Sequence, residues 1–456
     1  MKITRRSALL SSAAALATAG AARRASAQTS TLGPDALKST LNPLGGLRAG
    51  NAEGTIPAWT GEIIPLPADY QPGTPRPDPF AGEQPVFSVT PANMAKYQDK
   101  LTQGDIYLLH TYPDYRMDVY PTHRTAVAPQ YVYDYTYKNA STAQLTPDGN
   151  NLSGAYGGVP FPIPVNGKQV IWNHILRWNG IATVDCEGTY QVTSAGEIVE
   201  RNYATVTTQF PYFFEGREAQ FDGTYLMTQI VDTAPGYMEG MAELVRQQIN
   251  PLEQPKRAWS YLLGQRRVRQ APQLAYDTPI DSAGGVIQWD EAAMFTGALD
   301  QYDCKLLGKQ EMIMPYNCSK TWLTPIDQVL GPHHANPDIT RWELHRVWVV
   351  EMTLAPGKRN VDSRRVAYVD EDSWTILALD IYDANNTLWK YHFAVATICP
   401  DIPAFAAGTY FIAYDFHANS YVAFGAYNLG RQTQPVPEFP ASYFTPGQLA
   451  ALAGGS

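Results

Sequence analysis

The histidines are the side chains best suited to acid–base or metal chemistry in this sequence. The eight are His110, His123, His174, His333, His334, His345, His392 and His417. None belongs to an H-E-x-x-H motif, and the chain contains neither a G-x-S-x-G turn nor a G-K-S/T phosphate loop. His333 and His334 precede Asp338 in GPHHANPD, but adjacent histidines on a loop are a weak metal-binding pattern. The sequence therefore predicts no metal and no other cofactor.

An enzyme remains the alternative, because the members of a catalytic triad can be far apart in sequence. That enzyme would be a secreted hydrolase of lipids or esters, with His123 or His174 acting beside a distant serine and aspartate. Structural hydrogen bonding explains both histidines at least as well. The acidic residues 370–372 lie in a predicted turn, and turn chemistry accounts for them. We therefore predict a protein that is not an enzyme.

Aromatic side chains make up 12% of the chain, with 28 Tyr and 10 Trp. In YVYDYTYK the tyrosines alternate with other residues, which is the pattern of a strand with one apolar face. Rings on the concave face of an unclosed sheet would bury hydrocarbon, at roughly 25 cal/mol per Å². The alternative is that the same rings fill a solid core. The aromatic residues predicted to line a cavity are Tyr131, Tyr133, Tyr135, Trp259, Tyr261, Trp348 and Phe411.

Three arginines are concentrated in the segment GQRRVRQ. In a strand, Arg267 and Arg269 face the same way, and their guanidinium groups match a carboxylate or phosphate headgroup. We include both in the predicted ligand-binding set. The alternative is a solvated strand face that pairs with acidic residues.

The first 27 residues have the composition of an export signal. Positive residues precede a short apolar run, and Ala25-Ser26-Ala27 supplies an A-x-A cleavage site. The apolar run is shorter than the roughly 20 residues needed to span a bilayer. No cysteine lies near the cleavage site, so we predict a periplasmic protein that is not a lipoprotein. The twin-arginine route and the general export route both fit.

The chain has four cysteines and no C-x-x-C motif, which argues against a thiol-redox enzyme or a thiolate zinc site. In an oxidising compartment cysteines can pair. We predict a disulfide between Cys304 and Cys318.

The composition describes a folded, mildly acidic protein. Charged residues are 17% of the chain and the net charge is −9. A nucleic-acid binder needs a basic face to neutralise phosphates, so that class of protein is excluded.

Periodicity and turn residues predict one large α+β body in which strands outnumber helices. A Gly- and Pro-rich arm over residues 28–91 precedes the body, which extends over 92–456. The predicted helices begin at Thr90-Pro91, at Val170, at Tyr237 and at Thr445-Pro446. The predicted strands are YVYDYTYK, the hairpin of 189–209, the strand–turn–strand of RAWSYLLGQRRVRQAP and six short runs between 343 and 428.

Several long phrases resemble the secreted proteobacterial family known as domain of unknown function 1329. They are LNPLGGLRAGNAEGTIPAWTG, MDVYPTHRTA, GVPFPIPVNGKQVIWNHILRW, GQRRVRQAPQLAYDTP and LHRVWVVEMTLAPGKR. Three further segments are similar in order and spacing to outer-membrane lipoprotein-sorting proteins of the LolA/LolB type. These are AWSYLLGQRRVR, MFTGALDQYDCKLLGKQEM and RRVAYVDEDSWTILALDIYDANNTLWK.

The resemblance implies an antiparallel barrel that is not closed and that wraps around helices, with a cavity for acyl chains. It implies a periplasmic carrier for a lipid or other hydrophobic small molecule, with peripheral contact to a membrane. An RND-type membrane transporter is the protein partner that the resemblance suggests. It transfers no catalytic residues.

Overall fold

The computed structural model describes residues 32–271, 276–406, 410–427 and 430–454. Residues 1–27, predicted as an export signal, lie outside this part. The helices are α1 (Gln103–Thr111), α2 (Gln130–Thr142), α3 (Gly167–Ile175), α4 (Ser319–Leu323), α5 (Ile326–Val329) and α6 (Pro446–Gly454). The strands are β1 (Phe87–Val89), β2 (Met117–Val119), β3 (Gln144–Leu145), β4 (Leu152–Ser153), β5 (Ala182–Val192), β6 (Ile198–Gln209), β7 (Thr224–Ala234), β8 (Ala242–Gln248), β9 (Arg257–Leu262), β10 (Arg267–Gln270), β11 (Tyr302–Pro315), β12 (Trp342–Leu354), β13 (Arg364–Asp370), β14 (Ile376–Tyr382), β15 (Leu388–Ala394), β16 (Thr397–Cys399), β17 (Ala404–Ala406), β18 (Phe411–Asp415), β19 (Ser420–Ala426) and β20 (Gln434–Pro435).

A single 16-stranded sheet organises the molecule. Its strands follow the order β1-β2-β12-β13-β14-β15-β18-β19-β5-β6-β7-β8-β9-β10, with β11 also paired to β12 and β20 to β5. The pairs are antiparallel, apart from one parallel contact between β12 and β2. Within the described residues the strands at the two ends of this order do not pair with each other, so the sheet is not closed into a barrel. The predicted α+β class and the unclosed antiparallel sheet are both confirmed.

The six late strands predicted from apolar runs are β12 to β15, β18 and β19, and they form the predicted antiparallel meander. Asparagines with positive φ occupy two of the turns, Asn386 at 59° and Asn419 at 48°. This backbone conformation suits asparagine better than most residues. The predicted hairpins β5–β6 and β9–β10 are confirmed as well.

The segment YVYDYTYK is helical, so its prediction as a strand is wrong. It lies in α2, where Val132, Thr136 and Asn139 are buried at a spacing of three to four residues. The Asn139 Nδ2 donates to backbone carbonyls of the segment 156–159, at 3.1 Å to Tyr156 O. The helical contacts made by these three smaller side chains outweigh the alternation of the tyrosines.

The long helix predicted over Tyr237–Asn250 is also wrong, because β8 occupies the middle and later part of that segment. Ala242 and Leu244 are buried alternately in the strand, and β8 pairs with both β7 and β9. Long-range pairing therefore overrides the local helix propensity of Met, Glu and Leu.

In place of the α-helix predicted from Thr90 to about Gly104, the structure has a shorter 3-10 helix, and α1 begins where the predicted helix ends. A 3-10 helix covers Met94–Lys100, and α1 begins after Thr102, whose side chain caps it in a reciprocal pair with Asp105. The predictions of α3 and α6 are confirmed.

The predicted disulfide is wrong, because all four cysteines are free thiols. Cys304 lies near the beginning of β11 and Cys318 follows its end. A strand of this length separates them by roughly 40 Å.

The Gly- and Pro-rich segment is packed on the sheet. Trp59 is buried and its Nε1 donates to Ala126 O at 3.1 Å, while Arg76 forms an ion pair of 2.7 Å with Asp401. Strand β1 lies within the segment predicted as an arm, yet belongs to the main sheet. The division of the chain at residue 91 stays a prediction.

A buried ionic cluster fixes this segment to the turn between β13 and β14. Arg124 donates to Asp372 Oδ2 at 2.8 Å and to Asp372 Oδ1 and Leu47 O at 2.7 Å. Glu371 accepts from Arg346 Nη1 at 2.9 Å and from Lys309 Nζ at 2.7 Å. Because the side chains of Glu371 and Asp372 are 2% and 1% exposed, turn chemistry alone does not account for them.

The C-terminal helix α6 packs across β7 to β10 in a small apolar cluster that is separate from the main core. The buried members of this cluster are Ala242, Leu244, Tyr261, Phe444, Leu449 and Ala453.

Candidate functional site

A cavity of about 550 Å³ lies between strands β5 to β9 and the segment 278–296. On β6, Asn202, Ala204, Val206 and Thr208 line it, as expected for the alternate residues of one strand face. The volume falls within the roughly 300–1,000 Å³ that is typical of small-molecule sites.

The middle of the cavity wall is apolar. Val206 on β6 is paired with Ile230 on β7, and Leu226 lies on the same face of β7. Ile280 and Phe295 supply apolar surface from the opposite segment. Leu226, Ile230 and Ile280 line the cavity and are only partly buried. The apolar wall is therefore left partly uncovered.

One end of the cavity carries a buried arginine. Arg177 follows α3, is 7% exposed, and donates from Nη1 to His174 O at 2.8 Å. Burial lowers the pKa of its guanidinium to about 10, and the Tyr225 phenol opposes that shift. Two buried polar atoms at this end have no hydrogen-bond partner among the described residues, Arg177 Nε and Asn179 Oδ1.

Carboxylates line the cavity towards the other end of the same strands. Asn202 Nδ2 donates to Asp232 Oδ1 at 2.9 Å, while Asn202 Oδ1 has no partner in the described part of the chain. Burial raises the pKa of Asp232 and also that of Glu243, which the Asp232 charge raises further. Asp185 lies between the two ends, and its burial raises its pKa to about 6.

Of the nine predicted ligand-binding residues, Tyr261 lines the cavity. Trp259 packs against the α6 cluster, with the guanidinium carbon of Arg246 5.8 Å from its ring. Arg267 and Arg269 on β10 are both exposed and are not among the lining residues of this cavity. Tyr261 therefore lines the cavity without the two arginines, which lie beside it on the neighbouring strand β10.

The three tyrosines of α2 that were predicted to bind the ligand lie elsewhere, against other helices and loops. Tyr131 is 5.9 Å from Trp178 between ring centroids. The hydroxyl of Tyr133 accepts from Ala128 N at 2.9 Å, and that of Tyr135 accepts from Gly216 N at 3.3 Å. These contacts place the rings in side-chain packing around α2.

Trp348 and Phe411 are also outside the cavity lining. Trp348 on β12 is buried and stacks on Trp374 at 6.3 Å between ring centroids. Phe411 on β18 is buried beside Phe424, 5.4 Å away, and Phe424 is the ring of this pair that lines the cavity.

The histidines of the hydrolase hypothesis already have partners. His174 Nε2 contacts Ala293 O at 3.1 Å, and His174 Nδ1 accepts from Ile376 N at 3.0 Å. Its burial lowers its pKa well below the usual value. His123 Nε2 lies 2.7 Å from Glu83 Oε1. No assembled serine–histidine pair involving these two residues is found in the described structure.

The side chains of the loop 331–338, which has a weak metal-binding pattern, form contacts with other residues. His334 Nε2 lies 3.4 Å from Asp114 Oδ1, and Asp338 pairs with Arg116. In the ranges that the structure describes, no group of three or more His, Cys, Asp or Glu side chains is arranged to hold a metal.

Sequence reasoning missed Arg177, Asn179 and the inner faces of β5 to β7. A signal was present for Arg177, because it is the one charged residue in ILRWNG, which follows an apolar helix. The strand faces gave a weaker signal, since Thr183, Asp185 and Glu187 alternate with Val and Cys in the same way as a solvent-facing strand.

Among the described residues, no helix combines the length and the apolar character needed to cross a bilayer.

The chain is similar to structures of outer-membrane lipoprotein-sorting type. One, from Vibrio parahaemolyticus, is a domain named for that sorting; it is 12% identical, with a TM-score of 0.43 over 62% of this chain and 97% of that one. Another is a LolA superfamily protein from Nitrosomonas europaea, 10% identical, with a TM-score of 0.36 over 62% of this chain and 98% of that one.

Two further matches concern the closer family. A DUF1329 family protein from Desulfovibrio piger is 17% identical, with a TM-score of 0.41 over 59% of this chain and 92% of that one. An uncharacterized protein of Pseudomonas aeruginosa is 39% identical over 409 residues, 87% of this chain and 88% of that protein. The family model described as protein of unknown function (DUF1329) matches residues 88–450. On this sequence relationship, the chain belongs to the DUF1329 family.

Proposed function

We propose that the protein is a periplasmic carrier that binds a lipid-like hydrophobic molecule in the cavity between β5–β9 and the segment 278–296. The observation that carries the proposal is a cavity of about 550 Å³ with an apolar central wall that the protein's own side chains leave partly uncovered. Burial of hydrocarbon there is favourable by roughly 25 cal/mol per Å² and needs few directional contacts.

Exchange of the ligand would be passive, without a nucleotide or a metal. The ligand would pass to or from a membrane, or an RND-type envelope transporter, when the cavity wall opens. The predicted export signal in residues 1–27 supports a periplasmic location.

The direct test is native mass spectrometry of the protein purified from its own periplasm. We expect a bound lipid whose mass is lost on denaturation and which organic extraction recovers. Purification of the bare polypeptide, together with failure to bind any acyl ligand, would contradict the proposed function.

A cavity-filling substitution tests the location of the ligand. Thr208 on β6 lines the cavity, with its hydroxyl 3.3 Å from that of Thr228, and the larger indole of Thr208→Trp would extend into the cavity volume. We expect Thr208→Trp to weaken binding of the apolar fluorophore N-phenylnaphthylamine at least about tenfold, because a loss of ~1.4 kcal/mol suffices for that change.

The matched control is Thr205→Trp, on the same strand but outside the cavity lining. It should bind the fluorophore with an affinity close to that of the unaltered protein. Equal loss of binding in both variants would show that the fluorophore does not occupy this cavity.

A further inference from the structure

We propose that the ligand is an amphiphile whose anionic oxygen group, a carboxylate or a phosphate, pairs with Arg177. The inference rests on the proposed function, because it specifies the chemistry of the molecule held in the same cavity. It assigns a headgroup site to Arg177 and Asn179, two residues that the sequence did not single out for binding.

Arg177 is a buried cation without an anionic partner. Its side chain lines the cavity, Nη1 donates to His174 O, and Nε has no acceptor among the described residues. No carboxylate in the described part of the chain forms an ion pair with it, and the Tyr225 phenol only partly opposes the effect of burial on its pKa. Buried arginines elsewhere in the fold behave differently, as Arg365 pairs with Asp290 at 2.8 Å and with Asp362 at 2.6 Å.

An unpaired buried charge is costly unless a partner replaces its lost hydration. Burial lowers the pKa of Arg177 only to about 10, so the guanidinium remains positively charged at neutral pH. A guanidinium presents its donors as a planar fork that matches a carboxylate or phosphate. A ligand anion would therefore supply the missing acceptor for Nε.

Asn179 extends the same site. It lines the cavity, and its Oδ1 is buried without a donor in the described residues. The oxygen and nitrogen of an asparagine amide are distinguished by their hydrogen bonds, and a half turn of the amide places its NH₂ group at that position. In that orientation Asn179 donates to the ligand anion together with Arg177.

The charges at the two ends of the cavity favour one orientation of such a ligand. Tyr225, next to Arg177, and Asp232 are seven residues apart on β7, which separates them by about 23 Å. Asp232 and Glu187 line the cavity and are partly exposed, whereas Arg177 is buried. The anion is attracted to the buried end and repelled by the acidic end, so the alkyl chain extends along the apolar wall towards Asp232.

The test compares ligands with the same alkyl chain and different headgroups. Affinities of palmitate, palmitoyl lysophosphatidate and palmityl alcohol are measured by displacement of N-phenylnaphthylamine. We expect the unaltered protein to bind at least one of the two anions about tenfold more tightly than the alcohol, since charge-assisted hydrogen bonds are the stronger ones. The preferred anion identifies a fatty acid or a phospholipid as the source of the headgroup.

Arg177→Met removes the charge and retains much of the apolar volume. We expect it to weaken binding of the preferred anion about tenfold and to change binding of palmityl alcohol less than about twofold. Arg177→Lys should give an intermediate loss, because it retains the charge but not the fork. The control is Arg217→Met, which alters an exposed arginine paired with Glu438 and should leave all three affinities unchanged. Circular dichroism checks that each variant is folded.

The outcomes separate the two proposals. Equal affinity of the unaltered protein for both anions and the alcohol would overturn the headgroup assignment while leaving the carrier function intact. A preference for the anion that survives in folded Arg177→Met would overturn the role of Arg177. Failure to bind any of the three ligands or the fluorophore would overturn the carrier function, and the inference with it.

Discussion

Replacing Arg124 with alanine is expected to lower the free energy of unfolding by about 3–5 kcal/mol, the usual cost of removing one partner from a buried ion pair. The Arg124 guanidinium donates to both oxygens of Asp372 and also to Glu371 and to Leu47 O. Without it, Asp372 would keep a buried charge with Asn42 Nδ2, at 2.7 Å, as a remaining donor. The substitution also removes the hydrogen bond to Leu47 O, which joins the Gly- and Pro-rich segment to the loop between β2 and α2.

Urea unfolding followed by tryptophan fluorescence measures this loss. The control is Arg217→Ala, which breaks an ion pair with Glu438 in which the arginine side chain is 52% exposed. An exposed pair contributes little to stability, so the control should unfold close to the unaltered protein. A loss below about 1 kcal/mol for Arg124→Ala would show that the cluster does not hold the segment in place.

Replacing Asp105 with asparagine is expected to change how stability depends on pH. Asp105 is buried at the beginning of α1, where Oδ1 accepts from the Tyr391 hydroxyl at 2.6 Å and Oδ2 accepts from Thr102 N at 3.0 Å. Burial raises its pKa in the folded state to about 7, from 3.8 in the unfolded chain. Between these two values the folded state binds the proton that the unfolded state has released.

The contribution of Asp105 therefore becomes less favourable as pH rises from about 4 to about 7, and it is constant at higher pH. Relative to Asp105→Asn, the unaltered protein should lose several kcal/mol across this range, since one pKa unit corresponds to about 1.4 kcal/mol. Urea unfolding of both proteins at a series of pH values gives the difference. If the difference in unfolding free energy between the two proteins did not change with pH, the pKa of Asp105 would not be raised in the folded state.

A second variant, Tyr391→Phe, tests the pKa of Asp105 by raising it further. Tyr391→Phe removes a hydroxyl that stabilises the charged form of Asp105, the largest of the effects that oppose burial. The upper limit of the pH-dependent range should therefore move to higher pH. No movement would show that the hydroxyl bond of 2.6 Å does not control the titration.

The strands of the sheet could be predicted from the sequence where each one has an apolar run bounded by turn residues. The strands β12 to β15 are strongly apolar runs separated by turn residues such as Asn386, whose backbone has positive φ. Local sequence was insufficient where two periodicities were present. In α2, alternating tyrosines suggested a strand, while the buried Val132, Thr136 and Asn139 follow helical spacing.

The cavity was harder to predict than the sheet, because it depends on how distant segments pack. The segment 278–296 leaves the face of β6 and β7 partly uncovered. Neither the sequence of the segment nor that of the two strands has a pattern that predicts this cavity. Exposed arginines such as Arg267 were conspicuous in sequence because they are clustered. Arg177 was overlooked because a single arginine among apolar residues is identified as unpaired only when its surroundings are known.

The separate apolar cluster beneath α6 divides the molecule into regions of unequal stability. Strands β8 to β10 form one end of the strand order, and Leu449 of α6 and the preceding Phe444 cover them in a cluster separate from the large core. Such peripheral units open at a lower free energy than the whole protein. In the proposed carrier, local opening of β8 to β10 with α6 would then set the rate of ligand release. Removal of α6 would shorten the time for which a ligand stays bound, although no residue of α6 is among the lining residues of the cavity.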